Sequence, residues 1–278
     1  MSNMKFLVSV IVPVYNEEKS IEKCIQSLLN QTFNNFEIIC INDGSTDNSL
    51  NLLQKYKKRI KIWSITHKGM STARNIGSKL AKGQILVFLD GDMTFDKNYI
   101  SEIIKPILNL NKLGTYSSSE YVANYNNIWA RCWNINMGIN NNRRITNKIN
   151  SEGTTFRAIK KENFKKIGGF KTNLGYFDDL SLSEKFGFSF PVSNAICYHY
   201  NPDTLLDVFT SARWIGRAPL FNCTIINIIR YSFINSIRNS ITKIKQGAPF
   251  QYYIFKLIFD FGILTGLFNK NRSNNYAK

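Results

Sequence analysis

Four short apolar runs, at residues 7–14, 36–41, 60–65 and 85–89, alternate with segments of helical period inside the first hundred residues. The first reads LVSVIVPV, β-branched and almost wholly apolar, as a strand covered on both faces of a parallel sheet must be. Between the first two runs, residues 18–30 set Ile21, Cys24, Ile25, Leu28 and Leu29 at helical spacing. Helices are expected again over 49–58 and 71–81. Strands alternating with helices in this way predict a doubly wound α/β fold with a mostly parallel sheet. Such sheets bind ligands outside the carboxyl ends of their strands, so the residues following each run matter most. They are Asn42-Asp43-Gly44-Ser45, His67-Lys68-Gly69 and Asp90-Gly91-Asp92.

Farther along the pattern weakens. Residues 113–150 are rich in Asn, Ser and Tyr with little periodicity, and are expected to form loops and irregular helix shaping an acceptor cleft. A strand is expected over 154–159 and a short helix over 162–167, followed by Gly168-Gly169-Phe170. Phe177-Asp178-Asp179-Leu180 opens another helix, and a strand-like segment over 195–198 leads to His199. Beyond Pro219 lie two apolar stretches, 220–237 with Arg230 and 249–268 with Lys256 and Asp260. A charge at a bilayer centre costs about 3 kcal/mol, so neither suits a spanning helix. An interfacial or re-entrant helical pair is the expectation, with packing onto the main domain or a second subunit as the alternative. The chain divides accordingly into a domain over 1–212, whose two halves meet at about residue 96, and a basic helical segment over 213–278.

The composition narrows the function. With 44% apolar residues in 278, the chain can bury one large core, which excludes disorder as its dominant state. Five widely spaced cysteines without a CxxC pair give neither a disulfide framework nor a zinc motif, and suit a reducing, cytoplasmic setting. The apolar stretch at the start is too short for a secretory leader. A net charge of +17 calls for a polyanionic partner. From Arg213 onward ten Lys or Arg stand against Asp260 alone, so +9 of that charge lies among long apolar runs. Basic residues set among aliphatic ones suit an anionic membrane surface, at its cytoplasmic face, better than a nucleic-acid groove. Nucleic acid is therefore not expected as a partner.

At the strand ends, Asp43 can accept hydrogen bonds from a nucleobase N–H or ribose hydroxyls. Asp90 and Asp92 can hold one Mg²⁺ or Mn²⁺ whose remaining sites take diphosphate oxygens, and Gly91 permits the tight turn between them. Asp-Gly-Asp alone is usually a solvated turn; its place after a buried strand is what gives it weight.

Four motifs carry a resemblance: Val8-Ser9-Val10-Ile11-Val12-Pro13-Val14-Tyr15-Asn16-Glu17-Glu18, Ile41-Asn42-Asp43-Gly44-Ser45-Thr46-Asp47, Ala73-Arg74-Asn75-Ile76-Gly77 and Phe88-Leu89-Asp90-Gly91-Asp92. In order and spacing they resemble glycosyltransferase family 2, whose fold is GT-A, over residues 6–96 at least. Ile167-Gly168-Gly169-Phe170 and Phe177-Asp178-Asp179-Leu180 extend it less tightly. The resemblance implies an inverting transferase that uses a nucleotide-sugar, a UDP-sugar by family frequency. It further implies that Pro13 and Tyr15 flank the uracil in a donor-binding run that includes Glu17, that Asp43 reads the base, and that Lys68 or Arg74 approaches the base or diphosphate. Asp90, Gly91 and Asp92 would hold ribose and metal, His199 would complete the metal shell or touch a phosphate, and Asp179, with Asp178 as its alternative, would be the catalytic base. Inverting displacement needs such a base because the acceptor hydroxyl must lose its proton as the bond forms. Otherwise the two acids are only favourable charges at a helix start, and His199 a satisfied structural histidine.

Arg213-Trp214 is similar to the QxxRW element of processive members, but Thr210 stands where Gln belongs, which favours transfer of single sugars. The acceptor implied is a glycan, above all a lipid-linked saccharide. A polyprenyl-phosphate sugar synthase and a non-catalytic nucleotide-binding protein are the alternatives.

Overall fold

The computed structural model describes residues 8–109, 112–144, 156–172, 174–177, 180–186, 192–219 and 221–269. In chain order the elements are β1 (Val8–Val14), α1 (Ile21–Leu29), β2 (Phe36–Asp43), α2 (Ser49–Gln54), β3 (Lys61–Ile65), α3 (Met70–Leu80), β4 (Ile85–Phe88), β5 (Met93–Phe95), α4 (Tyr99–Asn109), β6 (Gly114–Val122), α5 (Ile128–Asn136), β7 (Phe156–Lys160), α6 (Lys161–Lys166), α7 (Leu180–Phe186), β8 (Val192–His199), α8 (Leu205–Arg217), α9 (Ile225–Arg230), α10 (Phe233–Lys245) and α11 (Tyr252–Phe268). A 3-10 turn, Gly175–Phe177, precedes α7. The chain forms two compact units.

The first unit takes the described residues within 1–121, 145–172 and 178–199. Its sheet of eight strands runs β3-β2-β1-β4-β7-β6-β8-β5. The first four are parallel, with Val8 opposite Phe36 and Ile85, and Ile39 opposite Lys61. β7 lies antiparallel to β4 and β6 antiparallel to β7, with a register shift at Thr115/Tyr116; β5 lies antiparallel to β8, Met93 facing His199. Strand alternation distributes β1 between two cores: Val8, Val10, Val12 and Val14 enter one with Cys24 and Leu28 of α1 and Ile103 of α4, while Ile11 enters the other with Ala73 of α3. α3 lies so close on the sheet that a Cβ on Gly77 would stand 2.5 Å from a methyl of Ile11. β4 accompanies β1 only as far as Ile11, so Val12–Val14 has β2 alone beside it. The strand order reverses at β1, the place where sheets of this kind bind ligands outside the carboxyl ends.

The second unit takes the described residues within 122–144, 173–177 and 200–278. Trp133 of α5, Val208 and Ala212 of α8, and Tyr252, Phe255, Phe259 and Ile263 of α11 form its core. α8 and α11 approach backbone to backbone: a Cβ on Gly216 would meet the Ile263 carbonyl at 2.3 Å, and one on Gly266 the Arg213 carbonyl at the same distance. Inside the unit Lys256 Nζ donates to Asp260 at 2.8 Å and Ser236 Oγ donates to the other Asp260 oxygen at 2.6 Å. Burial raises the Asp260 carboxyl, while Lys256 and Ser236 draw it back down.

Two expectations are corrected. Residues 113–150 were expected as loop and irregular helix, yet they contain a long strand, β6, and the helix α5, capped by Asn127 whose side chain accepts from the amides of Trp129 and Ala130. Ser117 and Thr115 point inward on β6, so polar composition concealed a buried strand. The stretch 220–237 is not one helix but α9 and the start of α10, because Ser232 stops the first and caps the second. Among the described residues no helix is long and apolar enough to cross a membrane.

Candidate active site

The loops after β1 and β2 are tied into one body. Asn16 adopts φ +55°, and its side-chain oxygen accepts from the Thr46 and Asp47 amides at 2.8 and 3.4 Å. Its own amide donates to Ser45 Oγ, the Glu17 amide to Ser49 Oγ and the Glu18 amide to the Asp47 carboxylate. Glu18 answers by accepting from the Asn48 amide. An Asn tolerates the left-handed conformation and supplies the acceptor the turn needs.

Above this body Tyr15 stacks on His67, ring centroids 3.8 Å apart and 17° from parallel. His67 is fixed from below: its Nδ1 lies 3.0 Å from the Asp43 carbonyl and equally close to the Asp43 carboxylate. Each Asp43 carboxylate oxygen accepts a backbone amide at 2.8 Å, one from Lys68 and one from Gly69. Gly44, at φ +72°, lets β2 end against this turn, since a Cβ there would stand 2.9 Å from the His67 amide nitrogen. Asp43 thereby shapes the 67–69 turn and retains lone pairs for a further donor.

Asp90 sits within a buried chain of charges. Arg74 Nη2 donates to its Oδ1 at 2.6 Å and Arg157 Nη1 to its Oδ2 at 3.1 Å; the Nε and Nη2 of Arg157 reach Glu120 Oε1 at 3.1 and 3.0 Å. Two guanidiniums and two carboxylates make the group neutral, which is what permits its burial. Burial alone would raise the Asp90 carboxyl, but Arg74, Arg157 and His199 hold it well below the usual carboxylate range. Burial likewise works against the Arg157 charge, and Glu120 and Asp90 more than restore it.

Asp92, just before β5, meets His199 Nε2 at 2.9 Å, because the antiparallel pairing of β5 with β8 brings the end of the last strand back to the end of the fourth. Asp90, Asp92 and His199 each offer one ligand atom, all within 4.8 Å of one another. His199 Nδ1 is buried without a hydrogen-bond partner. Two carboxylates and an imidazole fit a Mn²⁺ or Mg²⁺ ion, and an orphaned ring nitrogen beside them is what a site short of a ligand would show. Asp92 and His199 are the stronger candidates to hold it, since both Asp90 oxygens already accept a guanidinium. Gly91 keeps the turn against the loop before α1: a Cβ there would lie 3.2 Å from Glu17 Cγ.

The remaining sequence candidates fall as follows. Pro13 is buried in β1, Tyr15 and Glu17 line the loop after it, and Lys68 contributes its amide while its side chain is exposed. Arg74 is turned to Asp90. Asp178 and Asp179 lie outside the described residues. Sequence reasoning passed over Arg157 and Glu120, and quoted His67 and Asn75 within motifs without giving either a role. Asn75 clamps the Gly-Gly-Phe loop, donating to the Phe170 carbonyl and accepting from its amide, both at 3.0 Å, with Arg74 5.4 Å over the Phe170 ring. A signal existed for Arg157, a cation flanked by the apolar Phe156 and Ala158 in the strand FRAIK.

The family model described as Glycosyl transferase family 2 matches residues 9–168. The chain belongs to that family. Among curated relatives it is 48% identical over 89 residues to an uncharacterized glycosyltransferase, EpsJ, of Bacillus subtilis, covering 31% of this chain and 26% of EpsJ. It is 40% identical over 92 residues to a poly(ribitol-phosphate) beta-glucosyltransferase of Bacillus spizizenii, 31% of this chain and 14% of that protein. The chain thus spans well under half the length of these relatives. Among solved structures, TarS of S. aureus in complex with UDP-GlcNAc superposes with a TM-score of 0.57 at 17% identity, covering 93% of this chain and 90% of that one. The mannosyltransferase PcManGT of Pyrobaculum calidifontis in complex with GDP-Man and Mn²⁺ gives 0.56 at 16% identity, covering 95% and 86%. At those identities the likeness shows the shared fold.

Proposed function

We propose that this chain is an inverting, metal-dependent glycosyltransferase that moves a sugar from a nucleoside-diphosphate donor, a UDP-sugar, onto a lipid-linked saccharide at the cytoplasmic face of a membrane. The observation that carries the reading is the Asp90, Asp92 and His199 cluster at the carboxyl end of β4. Solved structures of the same fold hold UDP-GlcNAc in one case and GDP-Man with Mn²⁺ in another, which supports a nucleotide-sugar here.

The roles follow from the contacts. Tyr15 and His67 offer aromatic faces to a base, and Asp43 retains lone pairs for its N–H. Asp92 and His199 would hold the divalent ion, which when bound neutralises charge on the departing diphosphate. Asp90, kept ionised by two arginines, would meet the ribose, a role that rests on its motif. Asp179 takes the proton of the acceptor hydroxyl, a role that rests on its motif.

A second acceptor is favoured by a separate observation. The net charge of +17, with a polyol-phosphate glucosyltransferase among the relatives, suits an anionic polymer such as a polyol phosphate. Release of nucleoside diphosphate from a panel of UDP- and GDP-sugars, with and without Mn²⁺, tests the whole. One arm supplies membrane lipid extract and the other a polyol-phosphate polymer. Turnover of one donor requiring metal and lipid supports the first reading, and turnover requiring the polymer supports the second. Absence of metal-dependent UDP or GDP binding overturns both.

A further inference from the structure

The helices α9 and α10 wear their apolar residues outward. α9 reads IINIIR and has no buried residue; its Ile225 is 76% exposed, and Ile226 and Ile229 are also largely open. In α10 the only buried side chains are Ser236 and Ser240, with Ser236 spent on Asp260. Its five large apolar residues all lie outside the buried class: Phe233, Ile234 at 80% and Ile241 exposed, Ile237 and Ile244 half-buried. A helix at a water-facing surface does the reverse, turning serines out and isoleucines in. Ile234, Arg238, Ile241 and Lys245, three or four residues apart, share one stripe of α10. Arg230 closes α9, and neither helix contains an acid.

From this arrangement we propose that the outward face of α9 and α10 is a docking surface for an anionic lipid bilayer, Ile225, Ile226, Ile229, Phe233 and Ile234 entering the headgroup boundary and Arg230, Arg238 and Lys245 meeting lipid phosphates. A second copy of the chain is a poor occupant, because two such faces would set cation against cation with no acid to relieve them. A bilayer supplies apolar depth and negative charge together. The surface gives the membrane partner of the proposed transferase a place on the chain and rests on that reading only for its purpose.

The test is sedimentation of the full chain with vesicles of phosphatidylcholine alone and of phosphatidylcholine with one-quarter phosphatidylglycerol. Binding is expected to the anionic vesicles and to weaken with salt. Arg238→Gln and Lys245→Gln should each lower the partition by about fivefold. The triple change Ile225→Ser, Ile226→Ser, Ile234→Ser should remove it while leaving helical content and metal-dependent nucleotide binding unchanged, since these side chains are solvent-facing. Asp92→Ala should still sediment, so loss of the transferase reading and loss of this one are separable. No binding to anionic vesicles, equal binding by the triple variant, or a stable dimer that the triple variant abolishes would overturn the proposal.

Discussion

Replacing Arg157 by methionine removes the cation that links Asp90 to Glu120. Arg157 is 1% exposed and Glu120 2%, and the described hydrogen bonds of Glu120 all come from Arg157. Methionine keeps most of the volume, so the cavity contribution is small, but the neutral group of two arginines and two acids is left with an excess negative charge in the core. Breaking a buried pair from one side costs about 3–5 kcal/mol. For a chain of this size a loss of 1 kcal/mol lowers the midpoint by roughly 2–4 °C, so Arg157→Met should melt roughly 6–20 °C below the parent. Adding Glu120→Gln removes the uncompensated charge and should recover more than half of the loss. Urea and thermal unfolding of parent, both single variants and the double variant close the cycle. A loss below about 1 kcal/mol for Arg157→Met, or no recovery in the double variant, would refute the claim that charge balance holds this group in place.

Asp92→Ala should abolish Mn²⁺-dependent donor binding, read by calorimetry, and undiminished affinity would reject the metal assignment. Asp179→Asn should leave donor binding intact and cut transfer by about 10²–10⁴-fold; full activity would turn attention to Asp178. Gly266→Ala drives a Cβ against the Arg213 carbonyl, which backbone cannot yield cheaply, so it should lower stability by more than about 2 kcal/mol in urea unfolding, against near-neutrality if α8 and α11 were loosely packed. Burial works to raise the Glu37 carboxyl, but hydrogen bonds from Lys61, Ser9 and the Lys82 amide hold it below its ordinary value. A carboxyl lowered in the native state contributes stability that is fully present above about pH 4.3 and lost as pH falls through the native value. Glu37→Gln should therefore flatten stability in that acid range, and an unchanged acid limb would exclude Glu37 from it.

β1, β2 and β4 were legible because each is an apolar run closed by a polar turn, as a strand covered on both faces must be; β3, at the sheet edge, is half-open and was legible from its place in the alternation. The donor-side loops were legible as motifs, though their physical reason was not: nothing in the letters says that Asn16 ties two loops together. The antiparallel half was hidden. β6 carries Thr115, Ser117 and Glu120 inward: Ser117 donates to the Ala195 carbonyl of β8, and Glu120 is at home there only because Arg157 arrives from β7 to pair with it. Periodicity reads one strand at a time, so a buried charge whose partner lies on another strand registers as a loop. His199 was proposed as a ligand on resemblance, and only the β5–β8 pairing supplies its geometric reason.

That same pairing sets an order of assembly. β1 to β4 are neighbours in sequence and in the sheet, and all four have been made once Phe88 has been added. β5 follows at once in sequence but belongs at the far edge of the sheet, and its partner β8 is the last strand synthesised. Asp92 therefore waits for its histidine until the rest of the sheet has been laid down between them. A nascent chain halted before His199 would possess the parallel strands without the completed acid–histidine cluster. The cluster is thereby absent from any nascent chain that ends before the last strand.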